Sequence, residues 1–233
     1  METQNIGIEN IPALLWGPKT GKLLIAVHGD QSNKEDDVIM IVAEEAWKKG
    51  YQILSFDLPE HGVRKNEPRI CKADNCVEDL NKVMKYAQTI SDSISLFGCS
   101  TGAYFSMLAY YNEEIKQTLF LSPVVDMKRI IENMMVWFDV SEVRLEKEQE
   151  ISTPIKTLYW DYYQYVLKHP VKWDKPTSIL YGAHDNLCEF EFVDHFSKRV
   201  HADITILEEG EHFFHTETQL AFFREWLKRN IAV

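Results

Sequence analysis

Gly98-Cys99-Ser100-Thr101-Gly102 follows the apolar run Ile94-Ser95-Leu96-Phe97 and precedes Ala103-Tyr104-Phe105-Ser106-Met107-Leu108. A serine between two glycines therefore falls where a strand hands over to a helix. Glycines flank a serine in this way when the turn is too sharp for anything bulkier. The hydroxyl then stands above the sheet, beside the free N–H groups that open the following helix. The plainer reading is a glycine-rich turn, and the rest of the chain decides between turn and nucleophile.

Outward from this pentapeptide the same apolar rhythm recurs. Leu23–Val27 ends at His28-Gly29, Ile53–Phe56 at Asp57, Ile94–Phe97 at Gly98, Thr118–Leu121 at Ser122-Pro123, Ser178–Tyr181 at Gly182, and Ile204–Leu207 is the sixth run. Short runs that are apolar at successive positions read as strands buried on both faces of a parallel sheet. Helix-length segments lie between them. Asp36–Lys49 carries Val38, Ile41, Val42, Ala46 and Trp47 at helical spacing and stops at Gly50. Val77–Ile90, Thr101–Tyr111, Phe190–Val200 and Gln219–Ile231 continue the series. Strand–helix alternation predicts an α/β fold with right-handed crossovers.

One stretch breaks the rhythm. Asp126–Phe138 and Ile155–Leu167 read as helices with no strand between them, separated by the charged segment Glu142–Glu150. The expectation is a mainly helical insertion over residues 124–173, lying on a core built from 1–123 and 174–233. Its aromatic residues, Trp137, Phe138, Tyr159, Trp160, Tyr162, Tyr163, Tyr165 and Trp173, are expected mostly to pack the insertion onto the core.

Composition bounds the function. The chain has 233 residues, 45% of them apolar and 26% charged, which suits one folded core rather than a disordered segment. A net charge of −11 argues against nucleic acid or an anionic membrane surface as partner. No segment approaches the roughly 20 apolar residues of a membrane span, and METQNIGIEN lacks the features of a secretory leader, so a cytoplasmic protein is expected. Cys71, Cys76, Cys99 and Cys188 form no CxxC pair and are expected as free thiols, although Cys71 and Cys76 are near enough in sequence to pair. Cys99 is expected to be buried and inert.

Ligands of open α/β sheets bind beyond the carboxyl ends of the strands. The residues at those ends are His28-Gly29-Asp30, Asp57 with His61-Gly62, Ser100, Asp126, Asp185 and His212. A serine hydroxyl attacks only when a base takes its proton. His212, in the loop after the sixth strand, is the preferred base, with His215 as rival at the helix start. A carboxylate must then fix the imidazole tautomer. Asp185, just past the fifth strand, is preferred, with Asp126 the alternative. The order Ser100…Asp185…His212 suits acyl transfer. The oxyanion donors expected are the backbone N–H groups of Thr101 and Asp30, with the Asp30 carboxylate turned away or paired.

These residues resemble the α/β-hydrolase family, in particular small bacterial serine esterases with a cap insertion. The resemblance rests on the elbow Gly98–Gly102, on His28-Gly29-Asp30, on Asp57-Leu58-Pro59-Glu60-His61-Gly62, on Gly182-Ala183-His184-Asp185 and on Gly210-Glu211-His212-Phe213. It implies a mostly parallel central sheet flanked by helices, with the cap inserted after the strand ending near Leu121. It also implies a catalytic triad of Ser100, Asp185 and His212, a small-molecule ester substrate, and no metal or organic cofactor. In that family the segment like Asp57–Gly62 is a structural turn, so no catalytic role passes to Asp57 or His61. The chain departs from the pattern at Cys99, where a larger residue is usual, and at Asp30, where many relatives are apolar. The expected activity is that of a carboxylesterase for small-to-medium acyl or aryl esters; a thioesterase, a monoacyl-lipid hydrolase or a small peptidase would use the same triad. A binding protein on the same scaffold and an acyl transfer to an acceptor other than water are the competing functions.

Overall fold

The computed structural model describes residues 1–232. The chain runs β1 (Thr3–Ile8), β2 (Ile11–Trp16), β3 (Lys22–Val27), α1 (Asp37–Lys48), β4 (Tyr51–Phe56), α2 (Ala73–Ile90), β5 (Ser93–Cys99), α3 (Thr101–Ala109) and β6 (Thr118–Leu121). It continues with α4 (Met127–Trp137), α5 (Glu142–Glu148), β7 (Glu150–Ile151), β8 (Leu158–Tyr159), α6 (Trp160–Lys168), β9 (Thr177–Gly182), α7 (Phe190–Val200), β10 (Asp203–Leu207) and α8 (Glu217–Asn230). Eight strands form one sheet in the order β1-β2-β4-β3-β5-β6-β9-β10. From β4 to β10 all neighbours are parallel, whereas β1–β2 and β2–β4 are antiparallel.

All six strands expected from the apolar runs are present. Their continuous apolar character follows from the pleat, which sends alternate side chains to opposite faces. Leu23, Ile25 and Val27 enter one apolar layer, while Leu24 and Ala26 enter the other. Ile179 and Tyr181 are parted from Leu180 in the same way. Helices α1 and α8 cover one face, and α2, α3 and α7 cover the other. The first helix is capped by Asp36, which accepts from the Ile39 N–H at 2.9 Å. The last begins with a reciprocal pair between Thr216 and Gln219.

The hairpin β1–β2 is not anticipated by the apolar pattern. β1 is mostly exposed and polar, and β2 carries Pro12 at its second position. Exposure of this kind belongs to an edge strand, and β1 is the edge; β2 lies between β1 and β4, is apolar and mostly buried, and carries Pro12 just outside its register with β4.

Between β6 and β9 the chain leaves the large sheet. Here the sequence expectation of two helices with no strand is corrected. The charged segment forms the short helix α5, capped by Ser141, and β7 pairs with β8 in a small antiparallel ladder. Helix α6 therefore starts at Trp160 rather than at Ile155. Met127, Ile131, Met134, Leu145, Leu158, Tyr163 and Trp173 are buried in the same apolar layer as α2 and α3.

Beneath the strand ends, buried polar groups are paired. Asp57 is fully buried and accepts from Lys34 N–H at 2.9 Å, Lys34 Nζ at 2.8 Å and Val63 N–H at 3.1 Å. Arg64, also fully buried, donates to the Asp57 carbonyl and to Asp79 Oδ2. The Asp57–Gly62 segment is thus a braced turn. His28 links it to β3: its Nδ1–H donates to the Gly29 carbonyl at 2.7 Å, and its Nε2 accepts from the Leu58 N–H at 3.0 Å.

Two predictions arise here. A Cβ at Gly102 would lie 2.3 Å from the His28 carbonyl oxygen, whereas at Gly21 it would meet nothing within 4 Å. Gly102→Ala is expected to cost about 3 kcal/mol by overpacking in chemical denaturation, and Gly21→Ala less than about 0.5 kcal/mol. The second concerns acid. Burial lowers the His28 pKa from 6.5 to about 4, against the opposing bond to Gly29. Between those values the unfolded chain binds a proton that the folded protein refuses, so stability falls with pH, by on the order of 3 kcal/mol when complete. Denaturation midpoints from pH 7 to 4.5 are expected to fall more steeply for the wild type than for His28→Asn.

Candidate active site

The carboxyl ends of β3, β5, β9 and β10 converge on Ser100. Its backbone sits at φ 50°, ψ −118°, a left-handed region disfavoured for a residue with a side chain. Such a conformation costs about 1–3 kcal/mol and persists only where the surroundings hold it. The holding contacts are visible. The Ser100 N–H donates to the Leu121 carbonyl at 3.0 Å, and its carbonyl accepts from Ala103 and Val124 N–H groups. Gly98 passes so close to α3 that a Cβ would stand 2.8 Å from the Ala103 Cα. The sharp strand-to-helix turn read from the sequence is therefore the one that forms.

Ser100 Oγ lies 2.8 Å from His212 Nε2, and His212 Nδ1 lies 2.7 Å from Asp185 Oδ2. With the ring proton on Nδ1 and donated to Asp185, Nε2 presents its lone pair to the serine hydroxyl. Asp185 is itself fixed: its Oδ1 accepts from the N–H groups of Leu187 at 2.9 Å and Cys188 at 2.8 Å. The loops that carry Asp185 and His212 are locked together by two glycines. A Cβ on Gly182 would come within 2.5 Å of the Gly210 backbone, and one on Gly210 within 2.8 Å of Gly182 Cα. The Ala183 N–H to Leu207 carbonyl and His184 N–H to Gly210 carbonyl bonds close the same seam.

The rival residues lie elsewhere. His215 is exposed, stacks on Phe213 and bonds the Phe213 carbonyl. Asp126 caps α4, accepting from the Arg129 N–H at 3.1 Å.

Asp30 and Thr101 line the same cavity as Ser100. Among the described residues, neither backbone N–H donates to a protein acceptor. The Asp30 carboxylate is paired, as expected: Lys156 Nζ stands 2.7 Å away and His61 Nε2 3.2 Å away. Burial would raise this carboxyl, but His61 and Lys156 outweigh it and hold it well below the usual carboxylate range. For His61, burial works against the charged ring, yet Asp30, Cys71 and the Pro59 carbonyl raise its pKa to about 10.

The cavity beside Ser100 measures about 200 Å³. Its walls are largely apolar: Met127, Ile130, Ile131 and Met134 from α4, with Phe105 and Leu187 from the core. Of the eight aromatic residues of the insertion, Tyr159 and Tyr162 line it. Tyr163 bonds Glu132, Trp173 packs on Phe120, and Trp137 faces solvent. Sequence reasoning did not single out Lys156 or the α4 residues. A lysine in a polar loop and apolar residues at helical spacing carry no mark of a pocket.

Cys99 is only partly buried, a correction to the expected burial, and desolvation pushes its thiol pKa up. All four cysteines are free. The one metal-capable grouping among the described residues is Asp185, Cys188 and His212, with donor atoms within 4.8 Å. Asp185 and His212 bond each other there, and burial pushes the Cys188 thiol up, away from the thiolate a metal would take.

No protein-family model and no curated protein matches the chain. Solved structures do resemble it. Est1E from Butyrivibrio proteoclasticus superposes with a TM-score of 0.77 at 22% identity, over 97% of this chain and 96% of that one. Another structure of Est1E holds ferulic acid, with a TM-score of 0.75 at 20% identity over the same shares. Mouse alpha/beta hydrolase domain-containing protein 10 gives 0.76 at 13% identity over 98% of both chains. The esterase PF2001 of Pyrococcus furiosus gives 0.70 at 20%, over 98% of this chain and 88% of that one. With its mostly parallel eight-stranded sheet, its flanking helices and these near full-length likenesses, the chain has the α/β-hydrolase fold.

Proposed function

We propose that the protein is a serine hydrolase, specifically a carboxylesterase for small-to-medium acyl or aryl esters. The observation that carries this reading is the unbroken relay from Ser100 Oγ through His212 to Asp185, at 2.8 and 2.7 Å, with Ser100 lining a largely apolar cavity.

In this mechanism His212 Nε2 takes the Ser100 proton as Oγ attacks the ester carbonyl carbon. The N–H groups of Asp30 and Thr101 receive the oxyanion; each such donor is typically worth about 3 kcal/mol of barrier. His212 returns the proton to the leaving alcohol oxygen, and the C–O bond breaks to give acyl-Ser100. Water then attacks the acyl carbon with His212 as base, releasing the acid and restoring the serine. Asp185 holds the ring tautomer and stabilises the imidazolium. The pairing of Asp30 with Lys156 and His61 favours this assignment, because it offsets a negative charge beside the developing oxyanion.

The acyl class follows from the cavity. About 200 Å³ of mostly apolar space suits a medium acyl chain or one aromatic ring. Phe105, Tyr159 and Tyr162 give it aromatic walls. The ferulic acid held by Est1E places an aryl carboxylate in a protein of the same fold, and so supports including aryl esters among the substrates to try.

The test is fluorophosphonate labelling with peptide mapping, alongside turnover of p-nitrophenyl esters of increasing chain length. Label is expected on Ser100, suppressed in His212→Ala. Asp185→Asn is expected to lower kcat by roughly 10⁴-fold. Asp126→Ala should instead cost about 1 kcal/mol of stability through the lost cap and leave turnover near wild type. Folded protein that takes no label and turns over no ester would overturn the reading in favour of a binding protein. Preferential transfer to an added alcohol over water would make it an acyltransferase. Met134→Ala, which enlarges the cavity, is expected to shift the preferred ester towards longer chains.

A further inference from the structure

Cys71 and Cys76 are brought together by the start of α2. Cys71 immediately precedes Lys72, the residue that caps the helix, and Cys76 lies in its first turn. Their sulfurs are 3.6 Å apart, and both residues are buried. The segment is pinned on both sides of Cys71. The Cys71 N–H donates to Glu60 Oε2 at 2.7 Å, while the Ile70 carbonyl accepts from Lys72 N–H at 2.9 Å and Asn75 Nδ2 at 2.8 Å. Cys71 lines the same cavity as Ser100, which is the side from which a small solute would approach it. Cys76 stands behind it and is fully shielded.

We infer that Cys71 and Cys76 form a reversible dithiol–disulfide pair in the wall of the substrate cavity, with a peroxide as the oxidant. The proposal goes beyond ester hydrolysis and does not depend on it. A disulfide requires about 2.05 Å between sulfurs, so the pair must close by roughly 1.5 Å.

The two thiols are suited to different roles. The contact with Cys76 is the largest influence on Cys71, and with His61 and Lys156 it outweighs burial to hold the Cys71 thiol below its usual range. Burial pushes the Cys76 thiol up. Cys71 is therefore the attacking thiolate. It attacks one oxygen of hydrogen peroxide, the O–O bond breaks, and hydroxide leaves, giving the Cys71 sulfenic acid. The Cys76 sulfur then attacks the Cys71 sulfur. The S–O bond breaks, and the departing hydroxide takes the Cys76 proton and leaves as water. In sum, two thiols are oxidised to one disulfide and one peroxide is reduced to two waters. Burial pushes Cys99 and Cys188 up, which keeps both as unreactive thiols.

The test is mass spectrometry of the folded protein after hydrogen peroxide, alkylation and tryptic digestion without reductant. Trypsin cuts after Lys72, so a disulfide would join the peptide Ile70–Lys72 to the peptide that begins at Ala73. That linked species is expected, with two of the four cysteines still alkylated and all four recovered after dithiothreitol. In Cys76→Ser, shown to be folded by circular dichroism, dimedone is expected to mark Cys71, and in Cys71→Ser no dimedone adduct should form. Peroxide-treated wild type that remains alkylated at both Cys71 and Cys76, or a disulfide through Cys99 or Cys188, would overturn the proposal. None of these readouts involves an ester, so their failure is separable from failure of the hydrolase reading.

Discussion

The close approach of α3 to the end of β3 is the constraint on which the site depends. Gly102 brings the first turn of the helix against the Val27 and His28 carbonyls, at distances no side chain tolerates. That contact sets where Ser100 stands and how near the His28-Gly29-Asp30 loop lies to it. It also explains how an unfavourable backbone conformation at Ser100 is kept, since the turn is clamped between a strand and a helix that cannot separate. The second close approach, Gly182 against Gly210, does the same for Asp185 and His212. Two backbone-to-backbone contacts thus align side chains that lie more than a hundred residues apart in sequence.

Electrostatics adds a second layer around this frame. Asp57, Lys34, Arg64 and Asp79 are almost wholly buried and pair with one another or with backbone groups. Asp30, His61 and Lys156 form a more open group at the cavity itself. A deep pair braces a turn at a fixed geometry, because removing either partner leaves an uncompensated charge in the interior. A group at a cavity wall instead sets the local potential that an incoming molecule meets.

The parallel core was legible because strands buried on both faces must be apolar at successive positions, as Leu23 to Val27 are. The serine turn was legible because only glycine fits on either side of it, and Asp185 and His212 because each follows a strand end in a loop. What escaped had no such necessity. β1 is exposed and polar, and the β7–β8 ladder is two residues long on each side. Its pairing comes from the packing of α5 and α6 rather than from any strand-like pattern. The pairing of Lys156 with Asp30 joins positions 126 residues apart, which local sequence cannot express. Cys71 and Cys76 were visible as neighbours in sequence, but the sulfur–sulfur contact depends on where α2 begins, four residues earlier than Val77.

The segment between β6 and β9 shares its apolar layer with α2 and α3, so pocket and interior are made of the same side chains. Ile131 and Met134 wall the cavity and are also part of the packed interior. Any remodelling of the cavity that runs through α4 therefore perturbs folding at the same time, and a change in what the cavity admits would have to proceed through destabilised intermediates. The 152–157 loop offers a cheaper route. Ile155 and Lys156 reach the cavity from an exposed segment whose bonds, apart from that of Lys156 to Asp30, are short-range. Evolutionary remodelling of this pocket is expected to begin in that loop and to reach the helix last.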